Sequence, residues 1–276
     1  MGNDKVRSAA GTGKIKSAGG SDKVRAKKHL GQHFLKDKKI AAAIVEALHA
    51  GGCDTVIEVG PGMGVLTGFL SERNFPSFRV VEIDRESVEY LRQNFTGRLE
   101  IIEGDFLGLD LQPMGERIAI IGNFPYNISS QIFFKILDDR DRVTEVVGMV
   151  QKEVAERICS APGSRVYGIL SVLLRAWYDI EYLFTVSEHV FSPPPKVKSA
   201  VIRLTRNSVE RLECDEKLFV SVVKRCFNQR RKMLRNPIKA MVYPGAGEMP
   251  LLSMRAEQLS VSQFVELTNW VDANRL

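Results

Sequence analysis

The chain has 276 residues, of which 44% are hydrophobic and 26% charged, a composition typical of globular proteins. No apolar run approaches the roughly 20 residues that span a bilayer, and the N-terminus lacks the apolar core of a signal peptide, so we expect a cytoplasmic protein without a membrane partner. Four cysteines without a C-x-x-C pair and four histidines without an H-E-x-x-H spacing predict reduced thiols and no metal site.

The formal charge of +6 is concentrated at the N-terminus. Residues 1–28 contain eight Lys or Arg and two acidic residues, so the rest of the chain is neutral overall. This segment is rich in Gly, Ser and Ala, and it cannot bury enough apolar surface to offset the entropy of ordering. We predict a disordered basic tail over residues 1–27, which either contacts a polyanion or only adds solubility.

Strand and helix patterns alternate after the tail. The stretch "KDKKIAAAIVEAL" predicts an amphipathic helix. Strands are predicted near residues 55–60, 78–84, 99–105, 117–123 and 144–151, with helices such as "GVLTGFLSER" and "RESVEYLRQNF" between them. This alternation predicts an α/β fold, a parallel sheet with helices on both faces. A helical stretch, "YGILSVLLRAWY", and two late strands, "YDIEYLFTVS" and "SAVIRLT", follow.

The C-terminal part has a different pattern. From Val209 onward it is helical throughout, which predicts a small helical domain over residues 206–276 after a larger domain over residues 28–205. The window from Lys224 to Lys239 contains seven basic residues and no acid. It could be one solvated helix face, but mutual repulsion without acidic partners favours a phosphate backbone as the counter-charge.

A glycine-rich loop follows the first central strand. "TVIEVG" runs into "GPGMG", which places Gly60, Gly62 and Gly64 just before a helix. Glycines allow close approach of the backbone to a ligand, and a helix N-terminus favours negative charge. Alone, such a loop is a weak indicator. Val65 stands where a dinucleotide fingerprint has a small residue, which counts against NAD.

Acidic residues end the next two strands. Glu82, with Asp84 close behind it, occupies the usual place of an acid that binds ribose hydroxyls. Asp105, in "EGDF", could accept a hydrogen bond from an adenine amine. Each acid could instead cap a helix or turn. Together, the glycine loop and the acids predict an adenosine ligand that carries a group other than phosphate.

The fourth of these strands stops at "GNFPY". A strand-to-helix turn with Pro is the simple explanation. With S-adenosylmethionine as the ligand, the Asn123 oxygen and a main-chain carbonyl near Phe124 could accept both protons of an adenine amine, so that its lone pair attacks the methyl group. Pro125 would stiffen the loop, and Tyr126 would offer a flat face to a flipped base.

Eight motifs occur in order from about residue 25 to the end of the chain: "GQHFL", "IEVGPGMGVLT", "VVEID", "GDF", "GNFPYNISS", "QKEVAERI", "FSPPPKVKSAV" and "FNQRRKMLRN". They resemble the motifs of the RsmA/KsgA family, the small-subunit ribosomal RNA adenine dimethyltransferases. The resemblance implies a Rossmann-like class I methyltransferase fold, with a seven-stranded sheet and a small α-helical C-terminal domain.

The resemblance also implies the reaction. S-adenosylmethionine would donate four methyl groups, two to each of two adjacent adenosines in the hairpin loop near the 3′ end of small-subunit rRNA, during ribosome biogenesis. The partner would be the small ribosomal subunit, and the protein would act as a monomer.

Motif position implies a role for individual residues. The cofactor would contact His33, Leu35, Gly60, Glu82, Asp105 and Asn123. The target base would be held by Asn123, Pro125, Tyr126 and Phe191, although Phe191 could instead be a core residue before a rigid proline turn. The RNA would contact Arg230, Arg231, Lys232 and Arg235. His33 stands where many members of the family have Asn.

Three other functions remain open from the sequence. A related family dimethylates an adenosine of large-subunit rRNA, although "FNQRRK" and "FSPPPKV" favour the small-subunit family. The chain could also be a mainly non-catalytic ribosome-assembly factor, against which intact Glu82, Asp105 and Asn123 argue. A DNA adenine methyltransferase is the third alternative, because a flipped adenine is similar in RNA and DNA.

Overall fold

A computed structural model describes residues 24–95, 97 and 99–275 of the chain. The predicted disorder of residues 1–23 lies outside the described residues. The strands are β1 (Phe34–Leu35), β2 (Thr55–Val59), β3 (Ser77–Glu82), β4 (Leu99–Glu103), β5 (Ile118–Asn123), β6 (Val143–Gln151), β7 (Tyr178–Val186), β8 (Phe191–Ser192) and β9 (Ser199–Arg206). The α-helices are α1 (Lys38–Glu46), α2 (Val65–Ser71), α3 (Arg85–Asn94), α4 (Ser129–Asp138), α5 (Lys152–Cys159), α6 (Ile169–Arg175), α7 (Glu216–Asn228), α8 (Arg235–Ile238) and α9 (Val261–Asn274).

Seven strands form one mixed sheet in the order β4-β3-β2-β5-β6-β9-β7. The first five of these are parallel to one another, whereas β9 is antiparallel to both β6 and β7. The predicted seven-stranded sheet is confirmed. The carboxyl ends of β2 to β6 meet at one edge, called here the carboxyl edge, where parallel α/β sheets bind their ligands.

Helices cover both faces of the sheet, as the sequence predicted. Alternate residues of β2 belong to different apolar clusters, Val56 to one and Ile57 to the other. The Val56 cluster includes Ile44 of α1, and the Ile57 cluster includes Phe133 of α4. A strand buried on both faces has little need for polar side chains, which explains the apolar run from Ile118 to Ile121 in β5.

The C-terminal part departs from the prediction that it is helical throughout. Helix α7 begins at an Asp215 cap and ends at Asn228, and α8 is a single turn. No helix forms over residues 239–249, whose sequence contains Pro244 with glycines at 245 and 247. Proline lacks the amide donor that a helix requires, and glycine loses the most conformational entropy in one, so this segment does not propagate the helix.

Helix α7 packs antiparallel to α4. At one end of the pair Arg140 Nη2 lies 2.5 Å from Glu216 Oε2, and midway along it the Lys224 ammonium lies 5.1 Å from the ring centre of Phe134. Because α4 starts at the carboxyl edge, α7 must end on that side of the molecule. Phe219 of α7 shares one apolar cluster with Ile202 of the sheet, so the C-terminal helices complete the sheet's core.

Among the helices of the described ranges, none has the length and apolar character that crossing a bilayer requires.

Candidate active site

The glycine loop between β2 and α2 requires its glycines for two different reasons. Gly60 and Gly62 have φ angles of 68° and 55°, in the left-handed region that side chains disfavour. A Cβ atom on Gly62 would also lie 2.8 Å from the ring of Phe34, whereas one on Gly60 would make ordinary contact with Pro125. The loop is therefore closely packed against the N-terminal segment and lies next to the N-F-P-Y turn.

Glu82 fastens this loop to the end of β3. Its side chain is only 4% exposed, and its two carboxylate oxygens accept hydrogen bonds from Gly62 N at 3.0 Å and Asp84 N at 2.9 Å. Burial raises the pKa of Glu82, and these two backbone bonds oppose the rise. A carboxylate has about four acceptor positions, so capacity remains for ribose hydroxyls.

Asp84 serves the protein's own structure. Its carboxylate accepts hydrogen bonds from Glu86 N, as the cap of α3, and from the side chains of Lys27, Gln32 and Ser87. Burial alone would raise the pKa of Asp84, but the side-chain bonds hold it below its usual value. Of the two acids after β3, Glu82 therefore has the remaining acceptor capacity, and Asp84 anchors neighbouring segments.

Asp105 is exposed at the end of β4, and one of its oxygens accepts a hydrogen bond from Leu107 N at 2.9 Å. This bond is the capping role that the sequence left open, and it leaves the second oxygen for a ligand. Ile83, between Glu82 and Asp84, is 54% exposed although its strand neighbours are buried. This apolar surface was not predicted, although an isoleucine between two acids at a strand end was its signal in the sequence.

The N-F-P-Y turn has two hydrogen-bond acceptors on consecutive residues. Asn123 Nδ2 donates to His33 O at 2.9 Å, which directs Asn123 Oδ1 away from that bond. Phe124 N donates to Met149 O at 3.0 Å, while its side chain is buried. Within the described residues, neither Asn123 Oδ1 nor the Phe124 carbonyl accepts a hydrogen bond.

Tyr126 is held rigidly beside this pair. Its hydroxyl lies 2.5 Å from Ser199 Oγ, and its ring centre is 5.4 Å from that of His33. Burial raises the pKa of Tyr126, with the Ser199 bond acting in the opposite direction, so the phenol is neutral at physiological pH. The His33 ring is itself fixed by a 2.8 Å contact between Nδ1 and Pro193 O.

Phe191 is a core residue in this structure, which is the alternative that the sequence left open, and its contact with the target base stays a prediction. Its side chain is 1% exposed and packs in the cluster on the α1 face of the sheet, because β8 pairs with β1 and sets Phe191 opposite Leu35. Leu35 is buried in the same cluster, so its side chain is also part of the core. The aromatic ring next to Tyr126 is that of His33.

The N-terminal segment from Lys27 to Leu35 crosses the carboxyl edge. It contacts Asp84 after β3, Gly62 after β2 and Asn123 at the end of β5. The resemblance placed His33 and Leu35 at the cofactor, but residue patterns alone did not predict the course of the segment, because it depends on polar contacts between residues more than fifty positions apart. Lys27, the last residue of the predicted tail, is one of its anchors.

The predicted RNA-binding residues separate into two groups. Arg230 is engaged by the protein: it donates to the carbonyl oxygens of Ser164 and Arg165, and its Nε lies 3.7 Å from Glu257. The other three, Arg231, Lys232 and Arg235, are exposed and form no ion pair with any described residue. They occupy the turn after α7 and the start of α8, on the side of the molecule where α7 ends.

Within the described ranges, no group of three or more His, Cys, Asp or Glu residues could hold a metal ion. The expectation of no metal stays a prediction.

The comparisons with known proteins decide the family. The family described as Ribosomal RNA adenine dimethylase matches residues 23–273. The chain belongs to this family. It is 56% identical over 256 residues to a protein of Phocaeicola vulgatus named "Ribosomal RNA small subunit methyltransferase A", with 91% of each chain covered. A protein of the same name from Cytophaga hutchinsonii is 57% identical over 250 residues, covering 89% of this chain and 97% of its own.

Solved structures confirm the methyltransferase fold. A dimethyladenosine transferase from Plasmodium falciparum superposes with a TM-score of 0.71 at 23% identity, over 85% of this chain and 96% of its own. The 23S rRNA methyltransferase ErmE superposes with a TM-score of 0.64 at 27% identity, over 87% of this chain and 99% of its own. The expected Rossmann-like class I fold with helical C-terminal elements is therefore confirmed.

The cofactor of this dimethylase is S-adenosylmethionine, and the residues at the carboxyl edge fit it. Glu82 offers acceptor capacity to a ribose, Asp105 has an oxygen for an adenine amine, and Ile83 exposes an apolar surface of the kind that packs on a base. The glycines at 60 and 62 let the backbone approach the ligand. When bound, the cofactor supplies a methyl group attached to a positively charged sulfur.

Proposed function

We propose that this dimethylase transfers two methyl groups to the N6 atom of each of two adjacent adenosines in the 3′-terminal hairpin loop of small-subunit rRNA. The observation that carries the proposal is a pair of acceptors to which no described residue donates, Asn123 Oδ1 and the Phe124 carbonyl, in the same turn as Tyr126. The pair adjoins the glycine loop through Gly60 and Pro125.

The chemistry needs two acceptors because an exocyclic adenine amine has two protons and a lone pair delocalised into the ring. Hydrogen bonds from both protons to Asn123 Oδ1 and the Phe124 carbonyl would draw the nitrogen toward tetrahedral geometry, which frees the lone pair for attack. Acceptors fixed before reaction cost no reorganisation in the transition state. Asn123 is fixed by His33 O, and Phe124 by Met149 O.

Tyr126 would hold the flipped base against its ring. Its neutral hydroxyl stays bonded to Ser199, so the residue orients the base without taking part in proton transfer. Pro125 fixes the turn between the two acceptors and this ring. The ring of His33, 5.4 Å from that of Tyr126, would be a further ring near the base, and the contact of its Nδ1 with Pro193 O holds it in place.

The small subunit is favoured as the target over the large subunit by the relatives. Proteins named for the small subunit are 56–57% identical to this chain, whereas ErmE, named for 23S rRNA, is 27% identical. The mainly non-catalytic assembly factor is the second candidate, and the intact, pre-positioned acceptor pair argues against it as the sole role.

RNA would reach the site across the basic turn after α7. Arg231, Lys232 and Arg235 are exposed, and α7 ends on the side of the carboxyl edge. Arg230 would act indirectly, by holding the turn against the carbonyl groups of the loop between α5 and α6. We further propose that the protein is cytoplasmic and acts as a monomer. Size-exclusion chromatography with light scattering tests the monomeric state.

The test of substrate choice is label transfer from methyl-labelled S-adenosylmethionine to purified immature small subunits, large subunits and duplex DNA. Label on small subunits alone supports the proposal. Label on large subunits or DNA would support methyl transfer by this protein but would contradict the small subunit as its substrate. Binding to small subunits without label on any substrate favours the assembly factor.

A further inference from the structure

A cavity of about 330 Å³ opens where β6 passes into α5, next to the proposed base site. It is lined by Gln151, Lys152, Glu153, Glu156, Val197 and Lys198. Its volume lies within the range of roughly 300–1,000 Å³ that small-ligand pockets occupy. None of the roles assigned above uses these residues.

The strand register places this cavity one step from the reacting base. Met149 of β6 is the partner of Asn123, and Gln151 is two residues further along the same strand. The Cα atoms of Asn123 and Gln151 are therefore about 8 Å apart, because neighbouring strands are spaced by about 4.8 Å and each residue adds a rise of about 3.3 Å. Gln151 also pairs with Ser199, whose hydroxyl contacts Tyr126.

One of the two lysines that line the cavity is not held in an ion pair. Glu153 pairs with Arg157 at 2.8 Å, and Glu156 pairs with Lys152 at 3.4 Å, both along helix α5. Lys198 forms no ion pair within the part of the chain that the structure describes. Glu188 is near enough for a Coulomb interaction with Lys198, but an exposed ammonium outside any ion pair can still contact an anion, and phosphate is the anion of an RNA strand.

The rest of the lining fits a nucleobase. Val197 is 45% exposed and presents an apolar surface beside Lys198. The amide of Gln151 can both donate and accept hydrogen bonds, as the edge of a base requires. Single-stranded RNA is recognised through unstacked bases that rest on such surfaces while their edges are hydrogen-bonded.

We propose that this cavity is a subsite for the nucleotide next to the reacting adenosine, with its base on Val197 and its phosphate at Lys198. The inference rests on the proposed function. Because the two target adenosines are adjacent, each enters the reaction site in turn, and the subsite then holds a different neighbour. In one register it holds the other adenosine, and in the next register it holds the nucleotide beyond.

Because the occupant changes, a defect in the subsite can be distinguished from a general loss of RNA affinity by the methylation rates of the two adenosines. A substitution in the cavity alters the methylation of the two adenosines unequally, whereas the loss of a distant phosphate contact slows both to the same extent. The variants are Val197→Asp and Lys198→Gln, both at exposed positions. The matched control is Lys217→Gln, an exposed lysine of α7 near Glu216 and Arg140, at the opposite edge of the sheet.

The experiment measures the initial rate of methylation at each adenosine of immature small subunits by mass spectrometry, with S-adenosylmethionine affinity measured by calorimetry. We expect the cavity variants to slow one position about tenfold more than the other, a difference of about 1.4 kcal/mol in barrier height. Cofactor affinity and the Lys217→Gln rates stay at the wild-type level.

Equal slowing of both positions, or rates equal to wild type in both cavity variants, overturns the subsite while the wild-type activity upholds the proposed function. A wild-type protein that methylates no small-subunit adenosine instead overturns the proposed function, and the subsite with it.

Discussion

Replacing Asn123 by Ala removes one of the two acceptors and does not alter Glu82 or Asp105, the residues proposed to bind the ribose and the adenine of the cofactor. A lost preorganised hydrogen-bond partner of this kind costs about 10²–10³-fold in rate, or roughly 2.7–4 kcal/mol. The variant also loses the 2.9 Å bond from Nδ2 to His33 O, which lowers stability by about 0.5–1.5 kcal/mol. We therefore expect a folded protein with nearly unchanged cofactor affinity and a severely reduced methyl-transfer rate.

Single-turnover methyl transfer, with calorimetric titration of S-adenosylmethionine, separates these effects. Asn127→Ala is the matched control, because the side chain of this exposed neighbour donates one long hydrogen bond, 3.4 Å to His29 O, and otherwise packs against Gly31. Asn123→Asp retains an acceptor oxygen but cannot donate to His33 O, so its rate should lie between those of Asn123→Ala and wild type. If Asn123→Ala transfers methyl groups within about tenfold of the wild-type rate, the acceptor pair is not the source of catalysis.

Three further predictions concern the cofactor, the RNA and the packing of the site. Glu82→Gln should weaken S-adenosylmethionine binding by about 1–3 kcal/mol in calorimetry, because an amide cannot accept both backbone bonds and ribose hydroxyls equally well; unchanged affinity would refute this role. Charge reversal at Arg231 and Lys232 should weaken RNA binding and flatten the dependence of the affinity on salt concentration. A salt dependence identical to that of wild type would show that RNA binds at another surface. Gly148→Ala should lower the free energy of unfolding by about 1–3 kcal/mol, because the new Cβ would lie 2.6 Å from the buried aromatic ring of the N-F-P-Y turn. Gly108→Ala, with open space around the new Cβ, is the control in thermal denaturation.

The sequence was sufficient to predict the central sheet and most of its ligand edge. Strands such as Ile118–Asn123 are apolar on both faces, and parallel strands end at one edge, so Glu82 and Asn123 could be placed there from pattern alone. The resemblance to a known family then supplied the cofactor and the reaction, which the family match bears out.

Other features depend on contacts between distant parts of the chain. Strands β1 and β8 have only two residues each, too short for any periodicity, yet their pairing buries Phe191 against Leu35. The engagement of Arg230 arises where α7 meets the loop between α5 and α6, so a basic run could not distinguish it from its exposed neighbour Arg231. The course of the N-terminal segment likewise follows from the bond between Asn123 and His33, ninety residues apart.

The most direct test of the central claim is to map the methyl groups on rRNA from small subunits treated with the purified protein and S-adenosylmethionine. The account predicts dimethyladenosine at two neighbouring positions of the 3′-terminal hairpin loop, with four methyl groups per subunit at completion. Methyl groups at a single adenosine, at non-adjacent positions or on another base would contradict it.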